Sequence, residues 1–167
     1  MEEFTMDIIV RPAKLNDLER IVYIENSCFP EEEAADAKSL KERLVAFKNS
    51  FFVAEKENEI VGFINGCITK KKKITDELYH SIALHDNNAP HQMIFGLAVH
   101  PSMQHQGIAS FLMKEFIKVA RGRNKTIITL TCKNNLIPFY EQFGYVYEGK
   151  SVSSHGGACW YDMTIYL

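Results

Sequence analysis

Gln104, Gly107 and Ala109 stand in the spacing Gln-x-x-Gly-x-Ala, directly after an apolar run at Ile94 to Val99. Apolar residues then recur at Ile108, Phe111, Leu112, Phe116, Ile117 and Val119 or Ala120. The run suits a buried strand and the recurrence suits an amphipathic helix, with His100-Pro101-Ser102 as the turn between them. The first turn of a helix carries N–H groups with no intrahelical partner, and the helix dipole adds partial positive charge there. Gly107 lets phosphates approach those N–H groups, and Ala109 and Ser110 keep the next turn low. Gln104 and Gln106 donate hydrogen bonds without adding charge. The junction reads as an anion site for a diphosphate; the competing reading is a strand-Gly-helix turn that holds no ligand. Neither GxxxxGK[ST] nor GxGxxG follows a strand, so the P-loop and dinucleotide-binding readings lack support.

The elements that must position this junction follow from pattern. Residues 6–11 predict a short strand ended by Pro12, and Asn16 or Asp17 a cap for a helix carrying Leu18, Ile21, Val22 and Ile24 to about Ser27. Pro30 predicts the opening of a second helix, with Glu31, Glu32 and Glu33 in its first turn and Leu40, Leu44 and Val45 inward. Strands are expected at Ser50–Glu55 and Ile60–Thr69 around a turn at 57–59. An irregular insertion, Lys70 to Pro90, holds one short helix near Asp76 to Leu84. Thr126–Thr131 predicts a strand parallel to Ile94–Val99 through a right-handed crossover. Asn134–Phe143 predicts a helix stopped by Gly144, before late strands at Tyr145–Gly149 and Cys159–Leu167.

Composition bounds the class. The 167 residues suit one well-cored domain, 1–167, and 46% hydrophobic with 24% charged residues is ordinary for a soluble protein. A net charge of -2 gives no general pull toward nucleic acid or anionic membranes. No apolar run approaches the roughly 20 residues of a membrane span, and Met1-Glu2-Glu3 is not a signal-peptide start. Cys28, Cys67, Cys132 and Cys159 are scattered without a CxxC pair, which predicts reduced thiols, no metal site and a cytoplasmic location. The run Lys70 to Lys73 reads as a solvated loop, with phosphate or nucleic-acid contact the alternative.

The loop at 104–109 resembles the acetyl-CoA diphosphate loop of the GNAT superfamily of N-acetyltransferases. The order β-α-α-β-β-β-α-β-α-β-β resembles that family's whole fold: an α+β (mixed α/β) chain with a mostly antiparallel central sheet, one splayed parallel strand pair and flanking helices. Leu97-Ala98-Val99-His100 and the segment Leu136 to Tyr145 are similar to its arylalkylamine (serotonin-type) branch and bacterial relatives.

The resemblance implies an acetyl-CoA-dependent N-acetyltransferase acting on a small-molecule amine in a ternary complex. The alternatives are a non-catalytic acyl-CoA-binding or sensing module, and a protein N-terminal or lysine acetyltransferase. Acetyl-CoA is implied at Leu97, Ala98 and Val99, whose strand edge takes pantetheine and is opened by a bulge at Gly96. The diphosphate is implied at Gln104, His105, Gln106, Gly107, Ile108, Ala109 and Ser110. Asn135 either contacts pantetheine or caps its helix. Tyr140 is implied as the proton donor to the leaving thiolate. The animal enzymes' histidine pair is replaced here by Met93 and Phe95, so the base is open: His91 acts through water or is an exposed strand-edge residue. His155 reaches the acceptor mouth or only packs in its turn, and His100 is structural. Glu31, with Glu32 and Glu33, attracts a cationic amine or simply favours a helix start. Phe29, with Trp160 and Tyr161, forms an aromatic acceptor wall or core. Cys132 is strand core, not a nucleophile. Exposed late strands leave a homodimer open.

Overall fold

A computed structural model describes residues 7–167. Strand β1 (Ile8–Pro12) leads into helix α1 (Leu18–Cys28), and Met6 of the expected first strand lies outside the described residues. Asp17 does not cap α1 with its side chain. Its carboxylate is held by the Arg11 guanidinium at 2.8 and 2.9 Å and by the Lys14 N–H at 2.7 Å, which keeps it well below the usual carboxylate range. Pro30 does not open the second helix. Helix α2 (Ala37–Ala46) starts later, where Asp36 accepts from the Ser39 N–H. Glu31 to Glu33 therefore form a turn ahead of the helix, and Val45 faces solvent while Leu40 and Leu44 pack inward.

Strands β2 (Phe51–Lys56) and β3 (Glu59–Asn65) form a hairpin whose two turn residues, Glu57 and Asn58, both have left-handed backbones. The expected long strand over 60–69 breaks at Gly66 and Cys67, and its end becomes β4 (Ile68–Thr69) in a different sheet. The insertion holds α3 (Asp76–His80) and a following 3-10 turn.

The central apolar run is also broken. Strand β5 (His91–Ile94) and strand β6 (Gly96–Val99) meet at Phe95, so the bulge falls there and not at Gly96. Helix α4 (Ile108–Gly122) and strand β7 (Ile127–Cys132) follow, and then α5 (Ile137–Glu141) after a 3-10 turn. Gly144, with a left-handed backbone, ends that segment before β8 (Val146–Lys150) and β9 (Tyr161–Tyr166). Two sheets result, in orders β1-β2-β3-β6 and β4-β5-β7-β9-β8. All pairings are antiparallel except β5 with β7. The expected parallel pair thus exists over residues 91–94 only, and beyond Phe95 its strands part, β6 pairing with β3 alone among the described strands.

Helices pack on the two sides of the sheets. One core lies under α4, where Ile108, Leu112, Met113, Phe116, Ile117 and Ala120 pack on Phe52, Ile128, Leu130 and Met163. Phe111 turns away and stays half exposed. The second core, under α1 and α2, gathers Ile21, Ile24, Leu40, Phe47, Phe63 and Met93. At the seam between sheets the chain approaches itself closely: a Cβ on Gly66 would overlap the Met93 carbonyl. Gly66→Ala is expected to cost about 2 kcal/mol or more, lowering Tm by several degrees. Gly122→Ala, in the last turn of α4 with open space around it, should hold or raise Tm. Thermal melts of the two variants check this.

Candidate active site

The junction after β6 is built by backbone conformations that few residue types adopt. A 3-10 turn at Pro101–Met103 is followed by left-handed backbone at His105 (φ 63°) and at Gly107 (φ 84°), the N-cap of α4. Glycine is suited to Gly107 because of that φ, since a Cβ there would meet open space. Gln104 reaches back to donate to the Val99 carbonyl at 3.1 Å, which ties the loop to the end of β6. His100 bonds Ser102 and stacks on Tyr23, a structural role. The first turn of α4 then opens on a cavity of 420 Å³. Leu97, Val99, Gln104, His105, Gly107, Ile108, Ala109 and Ser110 line it, with Phe139 and Tyr140 of α5 opposite. Gln106 is exposed and outside this lining, Ala98 is buried in the α1/α2 core, and Asn135 is exposed, caps nothing and touches neither cavity.

A second cavity, also of 420 Å³, lies across the parted strands. Leu97, Leu136 and Tyr140 wall both cavities. Tyr140 packs edge-on against Phe139 and Tyr145, and burial holds its hydroxyl protonated far above the usual tyrosine range. Cys132 lies beside it in the second cavity, its thiol pushed up to about 11 by burial, which disfavours the thiolate a nucleophile would need.

Phe29, Glu31 and His155, all singled out in the sequence, do line this second cavity, as does Trp160. His155 donates through Nε2 to the Glu33 carbonyl at 2.8 Å and stacks on Tyr79, while Trp160 donates to the His155 carbonyl. Ser153 donates to Asp76 of α3 at 2.6 Å. The loop 151–160 is thereby strapped to both the insertion helix and the 31–35 turn. Lys133 holds the Glu33 carboxylate, its Nζ lying 2.9 Å from either oxygen. His91 is elsewhere: its Nδ1 faces the Lys70 and Lys71 carbonyls at 3.1 and 3.0 Å, and it lines neither cavity. Met93 points into the α1/α2 core, whereas Phe95 lines the second cavity.

One residue was not anticipated from the sequence. Glu25 lines the second cavity from α1, is 6% exposed, and accepts the Ala35 N–H at 2.8 Å. Burial raises its carboxyl above the ordinary carboxylate range, opposed by that hydrogen bond and by the nearby Arg43 charge. Arg43 is itself buried, donates to the Tyr79 carbonyl and lies over the Phe95 ring, with no ion pair to Glu25. A signal existed: Leu18, Ile21 and Glu25 stand at i, i+3 and i+7, so a carboxylate occupies the inward stripe of an amphipathic helix.

A sheet parted between β5 and β6, with a loop of free N–H groups beyond the parting, defines the GNAT fold. The chain belongs to the Acetyltransferase (GNAT) family, whose model matches residues 18–145. It is 28% identical over 113 residues to a serotonin N-acetyltransferase of Mesocricetus auratus, covering 66% of this chain and 53% of that protein. The chain thus spans about half the length of that curated relative. The loading GNATL domain of CurA from Lyngbya majuscula superposes with a TM-score of 0.82 at 16% identity, over 95% of this chain and 97% of that one. The structure of yncA from Salmonella typhimurium with its cofactor acetyl-CoA gives 0.72 at 16% identity, over 96% and 94%.

The Glu25 geometry yields a pH-dependent stability. Well below pH 4.5, its ordinary value, folded and unfolded chains both carry the proton. As pH rises, the unfolded chain releases it first, so Glu25 costs stability progressively until the folded carboxyl also ionises. Glu25→Gln, which keeps an acceptor for Ala35, should therefore raise Tm at pH 8 and change it far less at pH 3. Melting curves at the two pH values check the sign.

Proposed function

We propose that the chain is an acetyl-CoA-dependent N-acetyltransferase that acetylates the amine of a small cationic molecule by direct attack in a ternary complex. The observation that carries this reading is the shared wall: Tyr140, Leu97 and Leu136 border both cavities, so a thioester on one side and an amine on the other meet at one buried hydroxyl. The acetyl-CoA held by yncA supports the donor, and the serotonin N-acetyltransferase likeness supports an amine acceptor.

In this reading the edge of β6 that faces away from β3, at Leu97 and Val99, takes the pantetheine arm, and the N–H groups of the first α4 turn take the diphosphate. Backbone N–H groups at the parted strand stabilise the oxyanion that develops on the thioester carbonyl. An alkylamine has a pKa near 10.4, so only about one in a thousand is neutral at pH 7.4. Glu25, in place of the family's histidine pair and of His91, removes the ammonium proton. The nitrogen then forms its bond to the carbonyl carbon as the carbon–sulfur bond breaks. Tyr140 gives its proton to the thiolate and regains one from the nitrogen of the new amide. Its raised pKa keeps it protonated until the thiolate forms.

The acceptor side supports a cationic, small substrate. Glu25, Glu31, Glu32, Glu33 and Asp36 line it against the single arginine Arg43, with Phe29, Phe95 and Trp160 as apolar surface. His155 and Trp160 of the 151–160 strap wall it as well, which supports a compact acceptor over an extended protein segment.

Thiol release from acetyl-CoA is the test, run across arylalkylamines, polyamines, aminoglycosides and short peptides. Turnover is expected with one class of small amine. Tyr140→Phe and Glu25→Gln should each lower kcat at least about tenfold, and only Glu25→Gln should remove the acidic limb of the pH–rate profile. Turnover with peptides alone, or full activity in Tyr140→Phe, overturns the reading.

A further inference from the structure

Between Lys73 and Lys114 the sequence contains no lysine or arginine, so the whole of β5, β6 and the diphosphate loop carries no permanent positive charge. The cations come one helical turn later. Lys114, Lys118 and Arg121 line a groove between α4 and the end of α5, with Ile117 and Phe143 as its apolar floor. All three are exposed, and none is held in an ion pair with a described residue. Ser110, Lys114, Ile117 and Arg121 follow at i, i+4, i+7 and i+11, a single stripe along α4. Ser110 lies in the cavity at the start of that helix, and Phe139 and Gln142 continue the opposite wall from one space to the next. Both spaces thus have α4 on one side and α5 or the residues just after it on the other.

We infer that Lys114, Lys118 and Arg121 form a subsite for a phosphate monoester, the 3′-phosphate on the ribose of acyl-CoA. The inference rests on the donor proposed above and adds the selection of its nucleotide end. At 1.5 Å per residue, Lys114 lies about 6 Å and Lys118 about 12 Å along α4 from Ser110, a span that brackets the nucleoside end of a coenzyme whose diphosphate sits at the helix start. A phosphate monoester is close to a dianion at neutral pH and gains most from several cations around one groove. The loop itself discriminates little, because its N–H groups would take any diphosphate. The α4 cations read what only the complete coenzyme carries, so the preferred donor is a free CoA thioester and not an acyl group on a shorter pantetheine carrier.

Calorimetric titration of the wild-type chain with CoA and with 3′-dephospho-CoA tests this. CoA should bind at least about fivefold more tightly, the size expected of two exposed charge pairs, and the ratio should shrink as salt is raised. In Lys114→Gln/Lys118→Gln/Arg121→Gln the ratio should fall toward one, with dephospho-CoA affinity held; these exposed positions leave the melting curve as a check on folding. Equal wild-type affinities for the two ligands, or a ratio kept in the triple variant, overturn the subsite while leaving the donor reading standing. Failure of both ligands to bind the wild type overturns the donor reading and the subsite with it.

Discussion

At Phe95 one strand leaves its neighbour. The Phe95 N–H turns to the Asn65 carbonyl at 2.7 Å, so the residues before it stay with β7 while those after it belong to β3. A backbone edge is left without a strand partner among the described residues, and such an edge inside a protein needs something to satisfy it. Both cavities border this parting, through Leu97. The seam also carries a cost. The amide of Asn65 is fully buried beside Gly96 with neither its oxygen nor its nitrogen partnered, a burden of about 1–3 kcal/mol. Two large apolar cores, one on each side of the sheets, offset that burden.

Charge is sorted across the same seam. The acceptor side gathers five carboxylates around one buried arginine, and the α4 groove gathers three exposed cations with no acid in its lining. Under the proposed reaction a polyanionic coenzyme and a cationic amine approach from opposite directions and find Tyr140 between them. Burial acts on both ionisable groups of that proposed reaction. It raises the Glu25 carboxyl above the ordinary carboxylate range, and it keeps the Tyr140 hydroxyl protonated.

Much of this arrangement was written locally, and locally written features were legible. The Gln104-x-x-Gly107-x-Ala109 loop, the stripe of α4 and the Pro138-Phe139-Tyr140 segment each depend on neighbours within a few residues, and the expected element order survives in the fold. The parting at Phe95 was not legible, because a continuous apolar run looks the same whether its residues pair in one sheet or divide between two. Cys67 hid the end of β3 for the same reason. The acids after Pro30 read as a helix start, yet Asp36 supplies a better cap six residues on, and Glu33 is drawn to Lys133 a hundred residues away. His91 attracted attention through its nearness in sequence to the family's histidine positions, but two residues along β5 carry it away from the cavity and onto the carbonyls of the lysine run. Glu25 was overlooked because its helix was read for apolar residues, when the informative event was a carboxylate among them.

The two halves of the site draw on the chain differently. The donor cleft uses one continuous stretch, from Leu97 to Phe143, in which loop, helix and facing helix are bound by register. The acceptor wall borrows from α1 and α2, the insertion helix and the 151–160 loop, and the last two are joined by side-chain bonds such as Ser153 to Asp76 and by His155 stacked on Tyr79. Those loops lie outside the strand seam and the α4 junction, although Phe95, Gly96 and Leu97 of the seam complete the wall. A lineage of such chains is free to explore new acceptors by redrawing a few surface segments, while inheriting its coenzyme grip unchanged.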